Sequence, residues 1–257
     1  AFFRSSLFIA GAGLTAALVT ALSPSSARWY GLADGGMDLR VAAESPRNGF
    51  LTRAYSGFAS AEEQAWLRVN GGTESLNFSH HLAEIFPREL FATHPEFFPW
   101  VDGQRLQPTA GRRDYYWNPD VGREDAADWA AEQGRKFFAA NPAAESFSVG
   151  FNDGLIWGES AELRQLTEPR RWFREMPDYS RLVFTFTNRV ATDLARTHPD
   201  KYVGALAYYW AESPPPFPLH PRVVPFLTAD RAQGYSPEFR QEEQRNQEGW
   251  ARVAGLT

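Results

Sequence analysis

The chain of 257 residues contains no cysteine. Disulfides, thiolate metal centres and cysteine nucleophiles are therefore excluded. Long basic runs are also missing, and the formal net charge is -5, so a nucleic-acid partner is not expected. No G-x-S-x-G element marks a serine nucleophile. No glycine-rich phosphate loop follows either strong strand candidate, which argues against nucleotide binding. The apolar run Leu7 to Leu22 is short for a membrane span, so no stable span is expected. With Arg4 before it and Ser25-Ser26-Ala27 after it, the run has the layout of a secretory signal peptide over residues 1–27. The alternative is a buried first helix containing Gly11 and Gly13. The signal reading places the protein outside the cytoplasm, secreted or periplasmic.

Aromatic residues, by contrast, are abundant: nine Trp, nine Tyr and twenty Phe. They serve a core, or line a groove for sugar rings where they stand beside strand-end acids. The length fits one large domain and matches the roughly 250 residues typical of a (β/α)8 barrel. Residues 28–60, rich in Gly, Ala and Ser, read as linker or loop, and 61–257 as the folded region. Residues 61–69 have the character of a short helix, and 76–78 of a short strand ending at Ser79, His80 and His81. Residues 82–92 are helical in character, interrupted at Pro87. Asp102-Gly103 predicts a tight turn between two short extended pieces. A helix is expected over 124–140, stopped by Asn141-Pro142.

The most informative stretch is Ser146 to Glu159. Phe147, Val149 and Phe151 alternate with Ser146, Ser148 and Gly150, the period of a strand. Asn152-Asp153-Gly154 then reads as a turn at the strand's C-terminal end. After a long excursion, the i+4 row Leu182, Phe186, Val190 and Leu194 marks the clearest helix, 179–197. A second strand, 202–210, runs into Glu212. An extended piece at 222–227 and a polar helix at 238–253 complete the pattern. Strands alternating with helices argue for βαβ units and a parallel sheet, either a barrel or an open doubly wound sheet.

Asp153 and Glu212 thus each follow a strand, and parallel strands would put both acids on one edge of the sheet, where α/β proteins build their sites. A carboxylate there can be partly desolvated and tuned for acid–base work; the alternative for Asp153 is a cap of its own turn. Glu159 is a third candidate. Paired carboxylates suit glycoside hydrolysis, one protonating the leaving oxygen while the other attacks or activates water. Trp157, Tyr208 and Trp210 are candidates for stacking on sugar rings. In a continuous strand, Tyr208 and Trp210 share a face opposite Tyr209. His80 or His81 could bind a sugar hydroxyl, and Asn152 adds a polar side chain. Arg112 and Arg113, beside Tyr115, Tyr116 and Trp117, could grip a carboxylate-bearing sugar through a bidentate fork. No His-x-x-x-His spacing supports a metal centre, and no cofactor is implied.

Several segments taken together resemble a known family. They are His80-His81; His94-Pro95-Glu96-Phe97-Phe98 with Asp102-Gly103-Gln104-Arg105; Asn118-Pro119-Asp120-Val121; Ser148 to Gly154; and Ala207-Tyr208 with Pro214-Pro215. In this order they resemble a bacterial family known as domain of unknown function 4838, over roughly Ser45 to Trp250. The resemblance implies a (β/α)8 glycoside-hydrolase-like barrel distantly similar to α-glucuronidases and β-hexosaminidases, here incomplete or truncated. Relatives carry cysteines where this chain has Trp117 and the segment Leu155 to Glu162, so a metal knuckle of the relatives is not expected. The overall expectation is a carbohydrate-active protein acting on oligo- or polysaccharides, with Asp153 and Glu212 as the acid–base pair. A non-catalytic glycan-binding or scaffold protein and a metal-dependent hydrolase using His80, His81 and Asp153 are the alternatives. The oligomeric state is not legible.

Overall fold

A computed structural model describes residues 76–109, 116–228 and 233–254. The chain divides into two units, Ala1–Ser75 and Leu76–Thr257, and the described residues all belong to the second. The expectations for 1–27, 28–60 and the helix at 61–69, and the candidates Arg112 and Arg113, lie outside the described residues.

The second unit is a mixed α/β structure around a parallel sheet. Its first helix is the single turn α1 (Leu82–Ile85), followed by a hairpin of β1 (Trp100–Val101) and β2 (Gln104–Arg105). The hairpin turn is Asp102-Gly103, both at positive φ (49° and 79°), as a two-residue turn of this hand requires. Helix α2 (Glu124–Ala140) leads to β3 (Ser146–Ser148). After β3 come helix α3 (Ala161–Thr167), a second hairpin of β4 (Trp172–Phe173) and β5 (Met176–Pro177), and helix α4 (Ser180–Leu194). Strand β6 (Tyr202–Ala207), strand β7 (Val223–Leu227) and helix α5 (Pro237–Val253) complete the order.

The sheet has the order β3-β6-β7, every pair parallel. A parallel bridge from His80 to Gly150 adds the segment before α1 beside β3. Among the described residues the sheet does not close on itself.

Sequence chemistry accounts for the layers. Helix α2 opens with Glu124 and Asp125 in its first turn, where the helix dipole favours acids. Its buried face is Ala126, Ala127, Ala130, Ala131, Gly134 and Phe138, small enough to let α4 and the sheet approach. A Cβ on Gly134 would stand 3.0 Å from Leu194 and 3.2 Å from Phe147. Helix α4 returns Leu182, Val183, Phe186, Val190, Ala191 and Leu194 to the same core. Burial of such side chains contributes about 1.5–3 kcal/mol each.

The alternation in β3 has two buried faces rather than one. Phe147 packs against Phe137 and Phe138. The Ser/Gly face meets backbone: Ser146 Oγ accepts from Asn77 N at 2.5 Å, and Ser148 Oγ donates to the Ser79 carbonyl at 2.6 Å. Gly204 on β6 lies directly beneath the Asn77 carbonyl, where any Cβ would collide. Phe78 then reaches β7 and stacks on Phe226, 3.7 Å between centroids. The segment 77–79 therefore lies over the small-residue face of the sheet and satisfies its polar groups there.

Candidate functional site at the strand ends

The C-terminal end of β3 is held by two buried asparagines. Asn152 is fully buried; its Oδ1 accepts from Ala83 N at 2.9 Å and its Nδ2 donates to the Trp117 carbonyl at 2.7 Å. The Asn152 backbone N–H donates to Asn118 Oδ1, and Asn118 Nδ2 donates to the Gly154 carbonyl. Both amides are engaged by protein. Asn152, a substrate-binding candidate from sequence, instead anchors the loop that carries Asp153. Asp120, in the same Asn-Pro-Asp segment, is also buried, bonded by Arg105 Nη1 at 2.8 Å and by Ser160 Oγ at 2.8 Å. Burial nevertheless pushes its carboxyl up.

Between these anchors Asp153 is exposed. Its side-chain partner is the Tyr208 hydroxyl, which donates to Oδ1 at 3.3 Å. Tyr208 stands just past β6. Its phenol is raised from its ordinary value by burial first, then by the negative charge of Asp153. The His80 ring meets Tyr208 edge-on at 5.8 Å, and His80 Nδ1 lies 2.5 Å from the Phe151 carbonyl. Asp153, Tyr208 and His80 thus come from three adjacent parallel segments and meet at one edge.

An aromatic wall continues from them. Phe151 contacts Trp157 (5.6 Å), Trp157 stacks on Tyr179 (4.8 Å), and Tyr179 contacts Trp210 (5.8 Å). Trp157 is buried, so it backs the wall rather than offering a free face, and its indole N–H has no acceptor among the described residues. Strand β6 ends at Ala207, and Tyr209–Ala211 form one 3-10 turn. Strand alternation therefore does not govern residues 208–210. Tyr209 sits at φ 49°, a costly conformation for an aromatic residue, and the residue is 41% exposed. That makes Tyr209, which the strand pattern set aside, the most accessible aromatic of this turn.

Glu212 has a different setting. Its carboxylate is bonded by Arg174, whose guanidinium also holds Glu242 (2.5 Å) and Glu243 (2.8 Å). The Glu212 carbonyl accepts from Trp250 Nε1 and Asn246 Nδ2 of α5. Burial raises the carboxyl's pKa; Arg174 opposes this, and Glu243 and Glu242 add repulsion. Glu159 is exposed and pairs loosely with Arg164 at 3.4 Å. His81 turns to Glu84 (3.7 Å) and Phe147, and burial lowers its pKa. The structure therefore brings together Asp153, Tyr208, His80 and the aromatic wall, while Glu212, Glu159 and His81 have other partners. Among the described residues no three His, Asp or Glu side chains group as a metal site.

The profile of the family described as Domain of unknown function (DUF4838) matches residues 42–255. The chain belongs to this family. Comparison with curated proteins and with solved structures gave no match. The family segments now have physical roles. Asn118-Pro119-Asp120 and Asn152-Asp153-Gly154 interlock through the two buried amides, and Asp102-Gly103 turns the hairpin that delivers Arg105 to Asp120. No helix of the described residues is long and apolar enough to cross a membrane.

Proposed function

We propose that this protein is carbohydrate-active and glycoside-hydrolase-like, with its parallel sheet forming an arc of a (β/α)8 barrel and its site at the C-terminal strand ends. One observation supports the reading: an exposed carboxylate, Asp153, accepts from a tyrosine whose ring packs against a histidine, the three coming from neighbouring parallel segments beside an aromatic wall. Carboxylates and polar groups among aromatic faces are what sugar rings require. Asp153 serves as acid–base or nucleophilic carboxylate, and Tyr208, Tyr209 and Trp210 supply stacking surface. Hydrolysis needs a second carboxyl. Glu212, its carboxyl shifted up by burial against the opposing pull of Arg174, is the candidate for that second group, and Glu159 stands in reserve. A signal peptide at 1–27 would export this activity.

The engagement of Glu212 by Arg174 favours a second reading, in which the same edge binds glycans without cleaving them. Screening the purified protein against a glycoside panel and a glycan array tests both. Hydrolysis that falls by about 10²-fold or more in Asp153→Asn and in Glu212→Gln supports the enzyme. Glycan binding that is weakened by Asp153→Ala, with no turnover of any bound glycan, supports the second reading. If neither binding nor hydrolysis is found, the carbohydrate reading fails.

A further inference from the structure

A backbone carbonyl can only accept a hydrogen bond, so the nitrogen of His80 that lies 2.5 Å from the Phe151 carbonyl must carry the proton. In the neutral ring this leaves Nε2 as a bare lone pair. Nε2 has no protein partner among the described residues, and the residue is only half-buried. The ring is fixed from two further directions. A parallel bridge to Gly150 sets its backbone, and edge contacts to Phe151 (6.3 Å) and Tyr208 (5.8 Å) set its plane. Beyond Tyr208 lies the second acceptor, the Asp153 carboxylate, to which the phenol donates. The edge therefore presents two acceptors, a ring nitrogen and a carboxylate, held by the backbone and ring contacts around them.

We propose that His80 is held as the Nδ1–H tautomer to present Nε2 as an acceptor at the sheet edge that also carries Asp153, so that the site selects ligands that donate from two hydroxyl groups. The ligand half of this proposal rests on the carbohydrate reading; the tautomer half does not. A donor-reading site discriminates strongly, because an analogue lacking the hydroxyl leaves a polar group unpaired. His80→Asn separates the two roles of the ring. The shorter amide keeps an N–H donor for the Phe151 carbonyl and has nothing at the position of Nε2.

The test has two arms. Nitrogen-15 NMR of the histidine rings, assigned through the loss of one signal pair in His80→Asn, reads the tautomer in the wild-type protein. A protonated Nδ1 with an unprotonated Nε2 is expected; a protonated Nε2 overturns the proposal, whatever the protein binds. The second arm titrates the methyl glycosides of glucose, galactose, mannose and N-acetylglucosamine and their monodeoxy derivatives against wild type and His80→Asn. Removal of one particular hydroxyl is expected to weaken wild-type binding by about five- to tenfold and to have no effect in His80→Asn. Equal losses in both proteins overturn the assignment of Nε2 to a ligand hydroxyl. The Nδ1–H tautomer with no glycoside bound overturns the ligand half; absence of any ligand on the glycan array as well overturns the carbohydrate reading with it, and failure of the tautomer is told apart by the first arm.

Discussion

Asp153 and Glu212 follow parallel strands that pair with one another, yet their surroundings are opposite. Asp153 is exposed and bonded by a neutral phenol. Glu212 is largely buried and bonded by a guanidinium that it shares with two more glutamates. The first acid is held in position by its neighbours, since Asn152 and the Gly154 carbonyl are fixed while its own carboxylate is left to solvent. The second ties the strand end to α5 and to the β4–β5 hairpin. A strand-end position therefore does not by itself make a carboxylate available. What decides is whether a cation from elsewhere in the chain has reached it first.

The contrast between the two acids breaks most visibly where the frame around Asp153 is removed. Asn152→Ala leaves the Ala83 N–H and the Trp117 carbonyl buried without partners and opens a small void. A loss of about 3 kcal/mol of unfolding free energy is expected, measured by urea denaturation. Arg174→Met comes next. It leaves the Glu212 carboxylate mostly buried beside two like charges, and about 2 kcal/mol should be lost. A second substitution, Glu212→Gln, should recover part of that loss, because the buried charge that had lost its partner is then gone. If Arg174→Met is as stable as wild type, the cluster is not what holds the hairpin to α5.

The two hairpins show what a sequence can and cannot carry. Asp102-Gly103 announces its turn because both residue types tolerate positive φ. The second hairpin turns at Arg174-Glu175, at φ 48° and 64°, with no such residue to announce it. Its energy comes from the far side: the Arg174 guanidinium lies over Phe239 (4.3 Å) and Phe173 (4.9 Å) and among three carboxylates. Most of that compensation comes from Glu212, Phe239, Glu242 and Glu243, distant in sequence, which no local pattern encodes. The helices and the site differ in the same way. Helix α2 was legible to the residue, because its acidic start and Asn-Pro stop are local. Helix α3 was hidden in the long excursion, although Ser160, whose hydroxyl accepts from Leu163 N, is a readable cap. At the candidate site, the pattern singles out Asp153 and Tyr208 from their strands, and the structure brings the two side chains together. The pattern missed Tyr179 and Tyr209, since one enters from a helix start and the other from a turn that ended the strand early.

The two acids also differ in how they respond to pH, and Glu212 is the one to read. Burial raises its carboxyl above the ordinary glutamate value of about 4.3. The folded state then binds the proton more tightly than the unfolded chain. The stability this contributes is fully present below the ordinary value and is lost as pH rises through the raised one. Asp120, raised in the same way, adds a slope of the same sign, and Asp125, lowered by Arg123, one of opposite sign. The difference between wild type and Glu212→Gln isolates one group. In thermal melts its wild-type advantage should shrink steadily from acidic pH to neutrality. A difference that grows with pH would mean that the Arg174 pairing outweighs burial.

The smallest effect is expected at Tyr208. Tyr208→Phe removes one hydroxyl, whose long bond to an exposed carboxylate carries little stability, about 0.5 kcal/mol or less. The ring contacts to His80 and Phe151 remain. The consequence falls on Asp153, which loses its positioned donor and is free to swing. Binding of any glycan ligand should therefore weaken by a few-fold while the unfolding transition barely moves. That split marks a side chain placed for a ligand rather than for the core. A Tyr208→Phe protein as destabilised as Asn152→Ala would instead put the phenol in the frame, and Asp153 would then be the cap of its own loop.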